Sequence, residues 1–310
     1  MSLRFILACI VALIIFWSLS KIIDWDLALD ALLSADLKFA LSGIILTTLI
    51  PFIGAARWKT ILSALDCKIS LHNALKAVMI AFSANIFAPA KSGDLIKVLV
   101  TDRYVSKTNL MAGVIAERLG DLLILAIFCS IGGLLIGMFL EASLGIFVLF
   151  SIILGVGLTS RLKTALKFSW LCKISQIVDK VIQIWCHRPM YMIQALSWSA
   201  VNWLIASAQI WLFFLAMGTE ITLLTVISLF PLTVFITLLP ITPGGIGVRE
   251  SAFVVFFLPY AELHSSLVAS LGYYICNIGL TGLLGVLFIN SHMKNEADGN
   301  LLGILKGGNR

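Results

Sequence analysis

The chain has 310 residues, 60% of them hydrophobic and only 12% charged, with a mean hydropathy of +1.04. Soluble globular domains carry roughly twice that share of charge, so the composition excludes a soluble protein and predicts an all-α, polytopic membrane helix bundle. The net charge of +6 fits an excess of Lys and Arg on cytoplasmic loops and requires no nucleic-acid partner.

A membrane helix needs about 20 apolar residues. By that measure full spans are expected at residues 4–22, 38–56, 110–139, 142–160, 191–217 and 264–289. The first resembles a signal peptide, but Ser18-Leu19-Ser20-Lys21 is a poor cleavage site, so it reads as a retained span. The run 110–139 contains Gly132, Gly133 and Gly137, which predicts tilt or a break. Two further segments, 77–96 and 221–261, are short or interrupted.

Loop charge sets the orientation. Residues 57–76 carry Arg57, Lys59, Lys68 and Lys76, and residues 91–107 carry Lys91, Lys97, Arg103 and Lys107. The long loop 161–188 carries Arg161, Lys163, Lys167, Lys173, Lys180 and Arg188. These stretches are expected to be cytoplasmic, as is the tail with Lys294, Lys306 and Arg310, in an inner (cytoplasmic) membrane with both termini cytoplasmic. The opposite loops are acidic, with Asp24, Asp26, Asp30, Asp36, Glu141, Glu220 and Glu262. Segment 77–96 then enters from the cytoplasm and returns. Segment 221–261 dips in from outside as a second hairpin, or 221–240 spans fully and 251–262 makes a short return. The bundle thus reads as one membrane domain over 1–290, followed by a polar, disordered tail over 291–310.

The loop 161–188 shows apolar residues at helical spacing, among them Ile174, Ile177, Val181 and Ile184, with basic residues between them. It reads as one or two amphipathic helices on the cytoplasmic membrane surface, either a platform for anionic headgroups or a plain basic connector. Four His and six Cys are scattered without ligand spacing, so no metal and no cofactor is expected. No nucleophile motif or phosphate loop is present.

The two interrupted segments share a pattern. Pro89-Ala90-Lys91-Ser92-Gly93-Asp94 and Pro243-Gly244-Gly245-Ile246-Gly247-Val248-Arg249-Glu250 both read Pro-x-x-x-Gly followed by charge. Paired Gly/Pro interruptions in two halves of a membrane protein point to a transporter-like site and a possible inverted pseudo-repeat. Glu117-Arg118-x-x-Asp121 lies inside a span, where charge is costly unless paired or wet. Glu117 and Asp121 share a helix face, and Arg57 and Arg249 are their natural remote partners. Beside Arg57, Trp58 reads as an interface anchor, with the Arg reaching the headgroups. Asn85, Asn202, Gln209 and Asn277 read as interhelical hydrogen-bonding residues.

In this order, the Arg-Trp pair, the Pro89–Lys97 stretch, the Glu-Arg-x-x-Asp motif and the Pro-Gly-Gly-x-Gly-x-x-Glu motif resemble the flippase-like integral membrane family typified by the lysylphosphatidylglycerol synthase transmembrane region. That family often has Arg-Gly-Gly-Glu where this chain has Lys91-Ser92-Gly93-Asp94. Lys91 cannot grip a phosphate with two parallel bonds as Arg does. The resemblance implies a domain that moves a polar or anionic lipid between leaflets, or presents it for envelope lipid or polysaccharide synthesis. Lysyl transfer is not implied, because no aminoacyl-transferase domain follows in the sequence. The expected partner is a phosphate-bearing membrane lipid. The expected site comprises Arg57, Lys91, Gly93, Asp94, Glu117, Arg118, Asp121, Gly244, Gly245, Gly247, Arg249 and Glu250. The alternatives are a membrane transferase acting on a polyprenyl-linked or glycolipid substrate, and a scaffold for glycosyltransferases.

Overall fold

The computed structural model describes residues 25–86, 88–101, 105–162, 169–239, 241–242 and 245–289. The expected span at 4–22, the polar tail and Gly244 lie outside them. All regular structure among the described residues is helical. In chain order the helices are α1 (Trp25–Leu33), α2 (Leu37–Thr47), α3 (Leu49–Ala64), α4 (Leu71–Asn85), a 3-10 stretch (Pro89–Ile96), α5 (Lys97–Val100), α6 (Lys107–Leu135), α7 (Phe139–Leu162), α8 (Ser169–Ile182), α9 (Pro189–Ala216), α10 (Leu223–Thr237), α11 (Val248–Phe257) and α12 (Leu263–Tyr274). Among the described residues, three continuous helical stretches are long and apolar enough to cross a membrane: Leu37–Ala64, Pro189–Ala216 and Leu263–Ile289.

The axis of the bundle is α6, 29 residues long and hence roughly 43 Å end to end. The expected break at its glycines is displaced. The helix runs through Gly132 and Gly133 and stops where Gly137 adopts φ +77°. Gly132 instead admits a neighbour: a Cβ there would lie 2.2 Å from Ser228 Oγ of α10. Small residues let membrane helices approach in this way, where packing rather than the hydrophobic effect holds them together.

Both interrupted segments fold back on themselves. In the first, the 3-10 stretch returns along α4, so close that a Cβ on Gly93 would sit 2.6 Å from the backbone nitrogen of Asn85. Asn85 Nδ2 donates to Asp94 Oδ1 at 3.1 Å and clasps the two arms. In the second, α10 and α11 pack together through Phe230 and Phe253, whose ring centroids are 6.1 Å apart. Their turn is closed by Thr242 Oγ1, which donates to the Ile246 carbonyl at 2.9 Å. Gly247, at φ +83°, starts α11.

The two hairpins are rooted at opposite ends of α6. Near its start, Asn109 Nδ2 donates to Cys67 Sγ, just ahead of α4. Near its end, Gly132 faces Ser228 of α10. Those points are roughly 35 Å apart along the helix, comparable to the ≈ 30 Å hydrocarbon core. The tips therefore converge on the middle of the bundle from opposite directions.

Of the amphipathic stretch, Leu162, Leu166, Trp170 and Ile174 lie outside the described side chains. Ile177, Val181 and Ile184 share a buried cluster with Ile61 and Ala64 of α3, Leu65 just after it, and Ala112 and Ala116 of α6. That part of the apolar face is covered by protein.

The close return at Gly93 gives a stability prediction. Gly93→Ala should lower the thermal midpoint of the purified protein, by the equivalent of about 1–3 kcal/mol, because the added methyl meets backbone. Gly155→Ala, which meets nothing within 4 Å, should leave the midpoint within about 0.5 kcal/mol. Equal melting of the two variants would show that the arms do not touch.

Candidate functional site

The site is built outward from α6. Glu117 and Asp121, four residues apart, project from one face at 2% and 4% exposure. Two buried carboxylates on one turn repel each other unless cations match them. Arg57 of α3 does so for both at once: its two terminal nitrogens reach Glu117 Oε1 and Asp121 Oδ1, each at 2.5 Å. It also donates to Ser199 Oγ of α9 at 3.1 Å. Each carboxylate takes a further donor. Lys97 Nζ donates to both Glu117 oxygens at 3.1 and 2.9 Å, and Trp203 Nε1 donates to Asp121 Oδ1 at 2.9 Å.

Arg118 turns away from this face. Its closest carboxylate is Asp94 of the first hairpin, at 2.7 Å, with Glu117 at 3.5 Å and Asp121 at 3.4 Å. Asp94 also lies 3.8 Å from Lys97 Nζ. Three cations (Arg57, Lys97, Arg118) thus interlock with three carboxylates (Asp94, Glu117, Asp121), and the network is neutral. Burying an ion pair is tolerable only when geometry and further hydrogen bonds are good; here Glu117 and Asp121 each accept from two donors, while Asp94 accepts from Asn85 and forms an ion pair with Arg118.

Two other charged groups stand apart. Arg249 pairs with its neighbour Glu250 at 2.5 Å and lies 3.8 Å over the Tyr274 ring. Glu250 Oε2 accepts the Gly247 N–H at 2.7 Å and so caps α11, an arrangement favoured at helix N-termini. Lys91 has the left-handed φ of +54°. Its Nζ lies 4.8 Å over the Trp203 ring, and among the described residues no carboxylate oxygen comes within 4 Å of it.

These groups surround a cavity of about 120 Å³. Part of the lining is charged, with Arg57, Lys91, Asp94, Lys97, Glu117, Arg118, Asp121 and Arg249, and part is apolar, with Ile50, Val78, Phe82, Phe230, Val234, Leu238 and Ile278. Asn202, Tyr273 and Asn277 complete the lining. At the cavity edge Asn277 sits in a π-helical turn, Ile275–Leu280. Its Nδ2 donates to Gln209 Oε1 at 2.6 Å, and Gln209 Nε2 donates to Thr47 Oγ1 at 2.8 Å. That chain ties α2, α9 and the last helix together, the interhelical role expected of Gln209 and Asn277.

Several expectations are corrected. Arg249 is not a partner of the α6 acids, because Glu250 is adjacent and already holds it. Arg57 and Trp58 are not at an interface: they are 5% and 0% exposed. Gly93, Gly245 and Gly247 are absent from the cavity lining. They close tight turns, and the Gly247 N–H is spent on Glu250, so the glycine breaks offer it no free backbone donor there. Lys97, counted above as a loop charge, is 2% exposed and belongs to the network. Its spacing three residues after Asp94 was a signal for that. Trp203, which donates to Asp121, and Ser199, which accepts from Arg57, carry no motif and are found only by position.

Because Arg57 bridges both acids, Arg57→Met should be the most damaging single change in the network. It leaves two buried carboxylates short of charge, a loss of about 3–5 kcal/mol for a buried pair. Arg118→Met, on a side chain 27% exposed, should cost less. Midpoints of unfolding in detergent decide this, and a greater loss at Arg118 would reverse the assignment.

Comparison with known sequences bears on this arrangement. Residues 5–285 match the family described as the lysylphosphatidylglycerol synthase TM region. Two relatives are similar over most of their length. A UPF0104 membrane protein of Methanothermobacter thermautotrophicus is 22% identical over 274 residues, covering 78% of this chain and 81% of that protein. A UPF0104 membrane protein of Pyrococcus horikoshii is 23% identical over 264 residues, covering 73% of this chain and 78% of that protein. The match takes in both hairpins, α6 and all the cavity-lining residues, and the chain belongs to the lysylphosphatidylglycerol synthase TM-region family of integral membrane proteins.

Proposed function

We propose that the cavity receives the polar headgroup of a membrane lipid, and that the protein passes that lipid between leaflets or presents it for cell-envelope synthesis. One observation carries the reading: the cavity lining is mixed, combining charged groups from α3, α6 and both hairpins with apolar side chains such as Ile50, Val78, Phe82, Phe230 and Val234. A headgroup finds charge there, and the first carbons of its tails find apolar surface. The converging hairpins support alternating access, since their tips carry lining groups from both directions: Lys91 and Asp94 from one, Thr237, Leu238 and Arg249 from the other. The protein is not itself the enzyme in this reading. Glycosyltransferases or other envelope-synthesis enzymes are the partners that would use the lipid.

The proposed orientation puts the basic stretches and both termini in the cytoplasm of an inner membrane. Arg57, Lys91 and Lys97 drop out of the loop count, since they line the cavity. Lys59, Lys68 and Lys107 remain exposed. The ion pair between Arg188 and Asp66, at 3.0 Å, brings two basic stretches to the same end of the bundle as the start of α6. At the other end the Asp36 N–H donates to the Ala216 carbonyl at 2.7 Å, which gathers the acidic stretches there.

Two measurements test these readings. In liposomes, the protein should carry fluorescent phospholipid from the inner leaflet to a membrane-impermeant quencher. Val234→Trp, which fills the cavity without changing charge, should reduce this to the protein-free rate. Val255→Trp, on a side chain 66% exposed, should not. Transport unaffected by Val234→Trp would remove the cavity from the path. For orientation, a cysteine placed at Asp30 should react with an impermeant reagent from outside the cell and one at Lys173 should not; the opposite pattern would invert the topology.

A further inference from the structure

The charge balance of the cavity says which headgroup fits it. The three-by-three network cancels, and so does the Arg249–Glu250 pair. Lys91 is left over: a cation in the lining, with its ammonium over Trp203 at 4.8 Å and no carboxylate within 4 Å among the described residues. The ring face attracts the ammonium but supplies no countercharge. Lys91 is half-buried, and a charge withdrawn from water without a countercharge is costly, so a bound group carrying one negative charge completes the cavity.

The uncharged lining has unspent capacity of a second kind. Asn277 is 4% exposed, and its Nδ2 is committed to Gln209 Oε1 and to the Tyr273 carbonyl, at 2.6 and 3.1 Å. Its Oδ1 is buried with no donor. Asn202, also in the lining, forms no hydrogen bond among the described residues. An amide oxygen lacking a donor is satisfied by a hydroxyl, and the lining presents two such oxygens, Asn277 Oδ1 and Asn85 Oδ1, together with the Asn202 amide.

We infer that the cavity selects a phosphodiester lipid with a single net negative charge and a hydroxyl-bearing headgroup. The inference rests on the lipid reading above and narrows it. A zwitterionic headgroup brings no net charge to Lys91. A polyprenyl diphosphate brings more than one negative charge and makes the cavity anionic. A lysylated phosphatidylglycerol headgroup, with two ammonium groups for one phosphate, adds positive charge where one is already in excess. The chain thus departs, in its choice of lipid, from the lipid in its family's description.

The test is a competition on the purified full chain, read by mass spectrometry of the lipids retained. Equimolar phosphatidylinositol, phosphatidylcholine, lysylphosphatidylglycerol and polyprenyl diphosphate are offered together. Phosphatidylinositol should be retained about tenfold over each of the others, the scale of one charge-assisted hydrogen bond. Lys91→Gln should erase its advantage over phosphatidylcholine, and Lys91→Arg should keep it. Asn202→Leu should shrink its advantage over phosphatidylmethanol, which has the same charge and no free hydroxyl. Glycerophosphoinositol, the same headgroup without tails, should compete poorly. Equal competition by it would mean that the site serves a soluble phosphodiester, which overturns the lipid class. Retention of phosphatidylcholine, lysylphosphatidylglycerol or diphosphate at least equal to phosphatidylinositol also overturns the class, while leaving the cavity a lipid site. If no lipid of any kind is retained, the lipid reading fails and takes the class with it. Should Lys91→Gln not fold, the wild-type ranking and Lys91→Arg decide the matter.

Discussion

Two carboxylates on one turn of a buried helix set the terms for this bundle. Glu117 and Asp121 are almost fully buried, and each needs a matching positive charge and more than one donor to stay ionised away from water. The side chains that meet this need come from three places in the chain. Arg57 comes from α3, Lys97 from the root of the first hairpin, and Trp203 from α9, where Ser199 also holds Arg57. Satisfying two acids therefore fixes the positions of three elements around α6. The cost of leaving any of them unpaired makes that arrangement specific as well as stable.

The hairpins follow from the same constraint. Asp94 reaches Arg118 only because the 3-10 stretch returns tightly along α4, and that return is possible because Gly93 has no side chain to collide with Asn85. The second hairpin resolves its own charges locally. Glu250 caps α11 and holds Arg249, so the helix start that lines up with the cavity is already occupied by a carboxylate from the chain. An anion bound in the cavity then has to be held by side chains, not by the helix terminus. In the proposed reading, Lys91 and not a glycine turn is therefore the group that an anion meets.

Stability and function draw on different parts of one cavity wall. The interlocked ions balance one another's charge and hold the bundle together. Lys91, Asn202 and Asn277 have bonding capacity left over, which the proposed reading assigns to a ligand. The remaining lining is largely apolar. The π-helical turn that carries Asn277 breaks the regular backbone pattern at the cavity edge, a placement common for such turns at functional sites.

The sequence by itself determined the class of the molecule and the identity of most charged groups. Apolar runs of bilayer length and the low charge content require a helical membrane protein, because only helices and closed barrels satisfy every backbone group in lipid. The hairpins were legible too, since proline and glycine punctuate helices wherever they occur. The partners of each charge were not legible. Arg57 looked like an interface residue because position along a span is one-dimensional, whereas burial depends on what packs beside it. Lys97 looked like loop charge for the same reason. Arg249 was matched to distant acids, although the acid beside it was the nearer partner. Ser199 and Trp203 lie in an ordinary apolar helix, and which face of a helix turns toward a buried charge is settled only when its neighbours are in place. Electrostatic pairing falls off with distance in space and not with separation in sequence, so the charge left unmatched at Lys91 emerged only from the tertiary structure.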